Sequence, residues 1–232
     1  MKFFVGTSGY SYPEWKGNFY PEKIKAGEML RYYAERFGTV EINATFYRMP
    51  TPATIESWVS QVPADFRFVL KASRRITHDR RLQDVGDPLS YFLNTAMALG
   101  DHRGPFLFQL PPNFKHDRGR LSEFLELLPS SARVAMEFRH ASWFEDAVLE
   151  TLRAKQVALC IADSEDGVDT PFAATAPWGY LRLRDVDYPD AALRSWIDRA
   201  RAQPWSEAYV FFKHEEQGRG PQYAERFVEL SR

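Results

Sequence analysis

Val40-Glu41-Ile42-Asn43-Ala44-Thr45-Phe46 carries its polar side chains at odd positions and its apolar ones at even positions. Successive side chains of a strand point to opposite faces, so the stretch reads as a strand with one polar and one apolar face. In a barrel one strand face meets the helices and the other the interior. Glu41, Asn43 and Thr45 are therefore expected to point inward, with Ile42, Ala44 and Phe46 against the helices.

Seven further short apolar or alternating segments surround this one, at residues 3–7, 66–72, 105–110, 133–139, 157–163, 179–184 and 208–214. Helix-patterned stretches lie between most of them, at 27–37, 51–60, 87–99, 119–128, 143–154 and 189–202, and a last one covers 219–231. Such alternation predicts parallel strands joined by crossover helices. Thr51-Pro52 and Asp87-Pro88 read as caps followed by a first-turn proline, and Ser142 to Glu145 as a capping box. Eight strands in a chain of 232 residues suit closure into a single α/β domain, a (β/α)8 TIM-like barrel over residues 1–232. The alternative is an open doubly wound sheet, because local sequence does not reveal which strands pair at the seam. One crossover departs from the pattern. Ser164-Glu165-Asp166-Gly167-Val168-Asp169-Thr170-Pro171 reads as an extended loop, so the sixth helix is expected to be missing or reduced to a turn. No linker, repeat or composition break marks a second domain.

Composition narrows the partners. Thirty Lys and Arg against 31 Asp and Glu leave a net charge of -1, which argues against non-specific nucleic-acid binding while leaving room for a local basic cleft. The only cysteine, Cys160, sits in an apolar run, so there is no disulfide framework or cysteine metal cluster. With neither a signal core nor a membrane-length apolar run, the expected location is cytoplasmic. Neither Gly6/Gly9 nor Gly218/Gly220 completes a dinucleotide or phosphate-loop signature, so no cofactor is expected.

The strand ends carry the chemistry. By the same alternation Lys71, Gln109, Glu137 with Arg139, Asp163, Arg182 with Arg184, and Lys213 fall toward one rim. The carboxy-terminal rim is where barrels build active sites. Three carboxylates, Glu41, Glu137 and Asp163, stand against five cations, Lys71, Arg139, Arg182, Arg184 and Lys213, giving a cationic mouth suited to a phosphate or carboxylate. Glu41, Glu137, Lys71 and the loop residue His78 are the candidates for acid/base or electrostatic catalysis. Asn43, Thr45, Gln109, Arg139, Asp163, Arg182, Arg184 and Lys213 are the candidates for substrate binding. Each also has a bland explanation, since paired charges can simply support a barrel and buried amides or hydroxyls can satisfy backbone groups. The three carboxylates could instead hold a divalent metal, although the excess of basic groups disfavours it, and no metal site is assigned. The turn Gln217-Gly218-Arg219-Gly220-Pro221 could add backbone donors at a helix start. Trp15 and Tyr20, in the aromatic loop 9–21, either touch ligand or anchor that loop.

Several motifs occur in order: Gly6-Thr7-Ser8-Gly9-Tyr10 with Trp15 and Phe19-Tyr20-Pro21; Val40 to Tyr47; Lys71-Ala72 and Thr77-His78; Phe108-Gln109-Leu110-Pro111-Pro112; and Glu137-Phe138-Arg139-His140 with Trp143. In these the chain resembles the DUF72, or YecE-like, family over essentially residues 3–230. The resemblance implies a TIM-barrel fold and brings no settled activity. Arg182-Leu183-Arg184-Asp185 stands where that family often has an Arg-Leu-His-Gly run, and Phe212-Lys213-His214-Glu215 where a Phe-Asn-Asn-Asp-like run is common. Both departures make this mouth more basic. The expected function is acid/base or electrostatic catalysis on a small anionic metabolite such as a sugar phosphate. A metal-dependent phosphodiesterase or nuclease and a noncatalytic anion-binding protein are the alternatives, and no membrane or specific protein partner is expected.

Overall fold

Each expected strand segment forms a strand in the computed structural model, which describes residues 1–163 and 168–232. The strands are β1 (Lys2–Thr7), β2 (Thr39–Ile42), β3 (Arg67–Lys71), β4 (Arg103–Gln109), β5 (Val134–Glu137), β6 (Ala158–Ala162), β7 (Trp178–Leu183) and β8 (Glu207–Phe212). All pairings between them are parallel, in the order β1-β8-β7-β6-β5-β4-β3-β2. That order never reverses, so the sheet has no switch point of the doubly wound kind. Its two ends instead meet in a near-closed barrel.

The seam between β1 and β2 is closed by more than backbone. Ser8 and Glu41 form an isolated bridge, and the Gly9 N–H donates to the Glu41 carbonyl at 2.8 Å. Just below, the Tyr33 hydroxyl accepts from the Thr7 N–H at 2.8 Å and donates to the Thr39 carbonyl at 3.0 Å. A side chain thus stands in for a missing ladder hydrogen bond. Gly6 makes the room, since a Cβ there would lie 2.1 Å from the Thr39 oxygen and 2.8 Å from the Tyr33 hydroxyl.

Seven α-helices occur among the described residues: α1 (Met29–Ala34), α2 (Pro52–Val59), α3 (Gly86–Ala96), α4 (Arg118–Glu126), α5 (Asp146–Ala154), α6 (Asp190–Arg201) and α7 (Arg219–Leu230). Thr51 caps α2 as expected, its hydroxyl accepting from Thr54 N–H at 3.2 Å. The helix α3 starts at Gly86, which leaves Asp87 in its first turn instead of at the cap. The α5 helix starts three residues later than its capping-box pattern suggests. Ser142 lies instead in a separate short turn, where its hydroxyl accepts from the His116 N–H at 2.8 Å. Between β6 and β7, residues 168–177 contain no helix. The remainder of the expected loop, Ser164 to Gly167, lies outside the described residues.

Alternation divides the apolar residues into two cores. Phe68, Leu70, Phe106, Phe108, Val134 and Met136 pack outward beneath the helices. Val69, Leu107, Ala135, Cys160, Tyr180, Tyr209 and Phe211 fill the barrel. Phe4 stacks on Tyr209 at the amino-terminal end, with centroids 4.7 Å apart. Filled from below, the barrel is a plug rather than a pore, and the polar layer sits on top of it at the carboxy-terminal strand ends. No helix among the described residues is long and apolar enough to cross a membrane.

Candidate functional site

Glu41, Glu137 and Arg182 face the interior from three separate strands, and none is more than 1 % exposed. Arg182 bridges the two carboxylates, with Nη2 2.7 Å from Glu41 Oε1 and Nη1 2.6 Å from Glu137 Oε2. Glu41 also accepts from the Ser8 hydroxyl at 2.7 Å and the Tyr180 hydroxyl at 2.5 Å. Glu137 also accepts from Arg184 Nη2 at 2.7 Å and Gln109 Nε2 at 2.9 Å. The Gln109 carbonyl oxygen in turn accepts from Lys71 Nζ at 2.8 Å. Five strands therefore contribute to one connected layer.

The electrostatics follow from this wiring. Burial pushes both carboxyl groups toward protonation, and the guanidiniums overcome it: Arg182 holds Glu41 below its usual range, while Arg182, Arg184 and Lys71 hold Glu137 far below. Such carboxylates are weak bases, and each already accepts three hydrogen bonds. Lys71 goes the other way. Burial, with Arg182 and Arg184 nearby, outweighs the attraction of Glu137 and Glu41 and lowers its ammonium to about 7.

Above this layer opens a cavity of about 450 Å³, lined by Lys71, Gln109, Arg139, Arg182, Arg184 and Lys213. Asn43 lines it too, and its buried Oδ1 has no hydrogen-bond partner among the described residues. The structure thus brings together nine of the twelve candidate residues, either in the cavity wall or, for Glu41 and Glu137, directly under it.

The remaining candidates are Thr45, Asp163 and His78, while Asn43 sits at the wall for an unexpected reason. The strand β2 stops at Ile42, and the chain then curls into a short turn over Ala44–Phe46. There the buried Thr45 hydroxyl lies 2.8 Å from the Ile42 carbonyl and 2.6 Å from the Lys71 carbonyl, tying the ends of β2 and β3. The odd–even pattern ends with the strand, so Ala44 and Phe46 line the mouth instead of covering helices. Asp163 turns away from the cavity: its carboxylate accepts from the Arg184 N–H at 2.6 Å and from the Tyr188 hydroxyl, positioning the end of β7. His78 stands behind the wall. Its ring meets the Phe46 edge at 4.8 Å, its Nδ1 lies 2.9 Å from the Thr77 hydroxyl, and burial together with Lys71 and Arg139 lowers it to about 4.

The aromatic loop is an anchor. Trp15 is buried and donates to the Glu215 carbonyl at 2.9 Å, while the buried Tyr20 donates to the Tyr10 carbonyl at 2.5 Å. Gly218 packs against Asn18 and Phe19 of this loop, so the glycine turn after β8 supports it. Trp143 is likewise buried, stacked on Phe138 and donating to the Phe114 carbonyl at 2.7 Å.

Five lining residues were not among the candidates: Tyr12, Ala44, Phe46, Tyr47 and Glu215. For Tyr12 a signal existed in the glycine three residues before it. Gly9 has φ +97°, and a Cβ there would fall 2.5 Å from the Tyr12 hydroxyl, which donates to the Ser8 carbonyl at 2.7 Å.

Comparison with known proteins places this geometry in a wider set. A crystal structure of a DUF72 family protein from Thermotoga maritima aligns with a TM-score of 0.83 at 26% identity, covering 99% of both chains. One from Enterococcus faecalis has the same score at 19% identity, covering 99% of this chain and 95% of that one. The UPF0759 protein YecE of Escherichia coli is 31% identical over 143 residues, 61% of this chain and half the length of YecE. The UPF0759 protein YunF of Bacillus subtilis is 23% identical over 92% of this chain and 79% of its own. Residues 4–232 match the family model described as protein of unknown function DUF72, and to that family this chain belongs.

Proposed function

We propose that the barrel mouth binds a small anionic metabolite, a phosphate ester or carboxylate, and acts on it through Lys71 by acid/base or electrostatic catalysis. The observation that carries this reading is the lining itself: five basic side chains against one carboxylate, Glu215, among the described residues. Positive charge in the wall suits a planar or tetrahedral oxyanion, and Lys213 adds a mobile charge at the rim. Glu41 and Glu137 serve beneath as the groups that aim Arg182 and Arg184. Lys71 is the lining group whose proton can be given or taken near neutral pH.

A metal-assisted phosphodiesterase finds less support. Arg182 separates Glu41 from Glu137, Asp163 faces Tyr188, and no three His, Cys, Asp or Glu side chains converge as ligands among the described residues. Titration calorimetry with inorganic phosphate and with glycerol 3-phosphate tests the proposal. Binding should weaken roughly tenfold in Lys213→Met, the worth of one charge-assisted hydrogen bond, and should decline with added salt. Absence of binding by either compound, or binding indifferent to that substitution, would overturn it.

A further inference from the structure

We propose that Lys71 is a nucleophilic amine that condenses with a carbonyl carbon of the bound metabolite to form a Schiff base. This rests on the anion-binding reading above and specifies the substrate class as a small aldehyde or ketone that also carries a phosphate or carboxylate.

Three features of placement carry it. Lys71 stands at the carboxy-terminal end of β3 and lines the cavity, so its Nζ is reachable by a small molecule. Its hydrogen-bond partner among the described residues is the neutral amide oxygen of Gln109. The carboxylates that would otherwise hold an ammonium there, Glu41 and Glu137, are turned to Arg182 and Arg184. A structural lysine in this layer would take a carboxylate partner. This one is denied it by arginines on β7 and at its end.

The groups facing the amine act in both directions. Arg182 and Arg184 disfavour its charge, Glu137 and Glu41 favour it, and the Phe46 ring 4.5 Å from Nζ favours it. Burial decides the balance. With its pKa at about 7, Lys71 is roughly half neutral at neutral pH, on the order of a thousandfold more than an unperturbed lysine.

The step balances without a further reactant. The Nζ lone pair forms a C–N bond as the carbonyl π pair moves to oxygen, which takes a proton. The C–O bond then breaks, the oxygen leaves as water after a second proton, and nitrogen loses its two protons to give the imine. The oxyanion of the ligand is held meanwhile by the cationic lining, and the unpartnered Asn43 Oδ1 is placed to accept from a ligand hydroxyl.

The test is reductive trapping of the full chain with glycolaldehyde phosphate and borohydride, with the modified residue located by peptide mass spectrometry. One reduced adduct at Lys71 is expected, formed at least about tenfold faster than at any other lysine, suppressed by inorganic phosphate and absent in Lys71→Arg and Lys71→Met. Glycolaldehyde, lacking the phosphate, should label Lys71 far more slowly. If inorganic phosphate binds by calorimetry and Lys71 is not labelled preferentially, the Schiff base is overturned while the anion site stands. If phosphate does not bind, the anion site fails first and the inference falls with it. Lys71→Arg keeps a cation without the nucleophilic amine, so an unchanged melting temperature in that variant separates loss of the nucleophile from loss of the fold.

Discussion

Arg182 and Glu41 meet across the barrel, Nη2 to Oε1 at 2.7 Å, from strands β7 and β2 that share no ladder hydrogen bond. The guanidinium then continues to Glu137 on β5, so one side chain neutralises two buried carboxylates drawn from opposite walls. Arg182→Met would leave the buried Glu41 without its cation and the buried Glu137 with Arg184 alone. A loss of about 3–5 kcal/mol in unfolding free energy is expected. Urea denaturation checks it, and a loss under 1 kcal/mol would show that the layer tolerates the missing cation.

Acid stability should follow the same pair. Glu41 and Glu137 sit below the ordinary carboxyl value of 4.5 in the folded protein. The unfolded chain therefore binds more protons as pH falls through that value, and the stability these groups supply above it is lost progressively on acidification. Glu137→Gln removes one of them. The plot of unfolding free energy against pH should be shallower below 4.5 in this variant than in the parent; parallel slopes would contradict the depressed carboxyl.

At the seam, Tyr33→Phe deletes the hydroxyl that joins the Thr7 N–H to the Thr39 carbonyl. Two buried backbone groups lose their partner, at an expected cost of about 1–3 kcal/mol. Amide exchange at Thr7 should accelerate by more than exchange on β4. Gly6→Ala should be worse, because its new methyl would approach the Thr39 carbonyl oxygen to 2.1 Å and the Tyr33 hydroxyl to 2.8 Å.

Proton uptake should accompany anion binding. With Lys71 lowered to about 7, most of it is neutral at pH 8, and a phosphate in the cavity favours the ammonium. Calorimetry at pH 8 in two buffers of different ionisation enthalpy should reveal net uptake with inorganic phosphate that vanishes in Lys71→Met. His78, lowered to about 4, stays neutral throughout and does not contribute. Net release would contradict the direction assigned to Lys71.

The same titration has a consequence for folding. Between about 7 and the ordinary lysine value of 10.5 the unfolded chain holds a proton that the folded one lacks. Stability therefore rises with pH across that window on account of Lys71, and the rise should flatten in Lys71→Met.

Strand identity and the inward direction of Glu41, Lys71, Gln109, Glu137 and Arg182 were legible from alternation, because side-chain direction along a strand is a local property with a period of two. The limits appeared where strands end. Asn43 and Phe46 share the mouth although their parity opposes them, since the Thr45 hydroxyl curls the chain after Ile42. Arg139 reaches the wall from beyond the end of β5, outside the alternation that suggested it. Asp163 matched the pattern of a rim carboxylate, yet it serves Tyr188 and the Arg184 backbone.

The amino-acid order alone thus determined eight strands alternating with helices and a charged set of strand ends, because the periodicity of apolar residues sets which face of each element is buried. Which charges neutralise one another was decided only by tertiary structure. Closing the sheet brings β2, β5 and β7 within reach of one guanidinium, and that convergence, set by strand order and stagger instead of by any local pattern, leaves Lys71 facing the cavity with an amide for a partner.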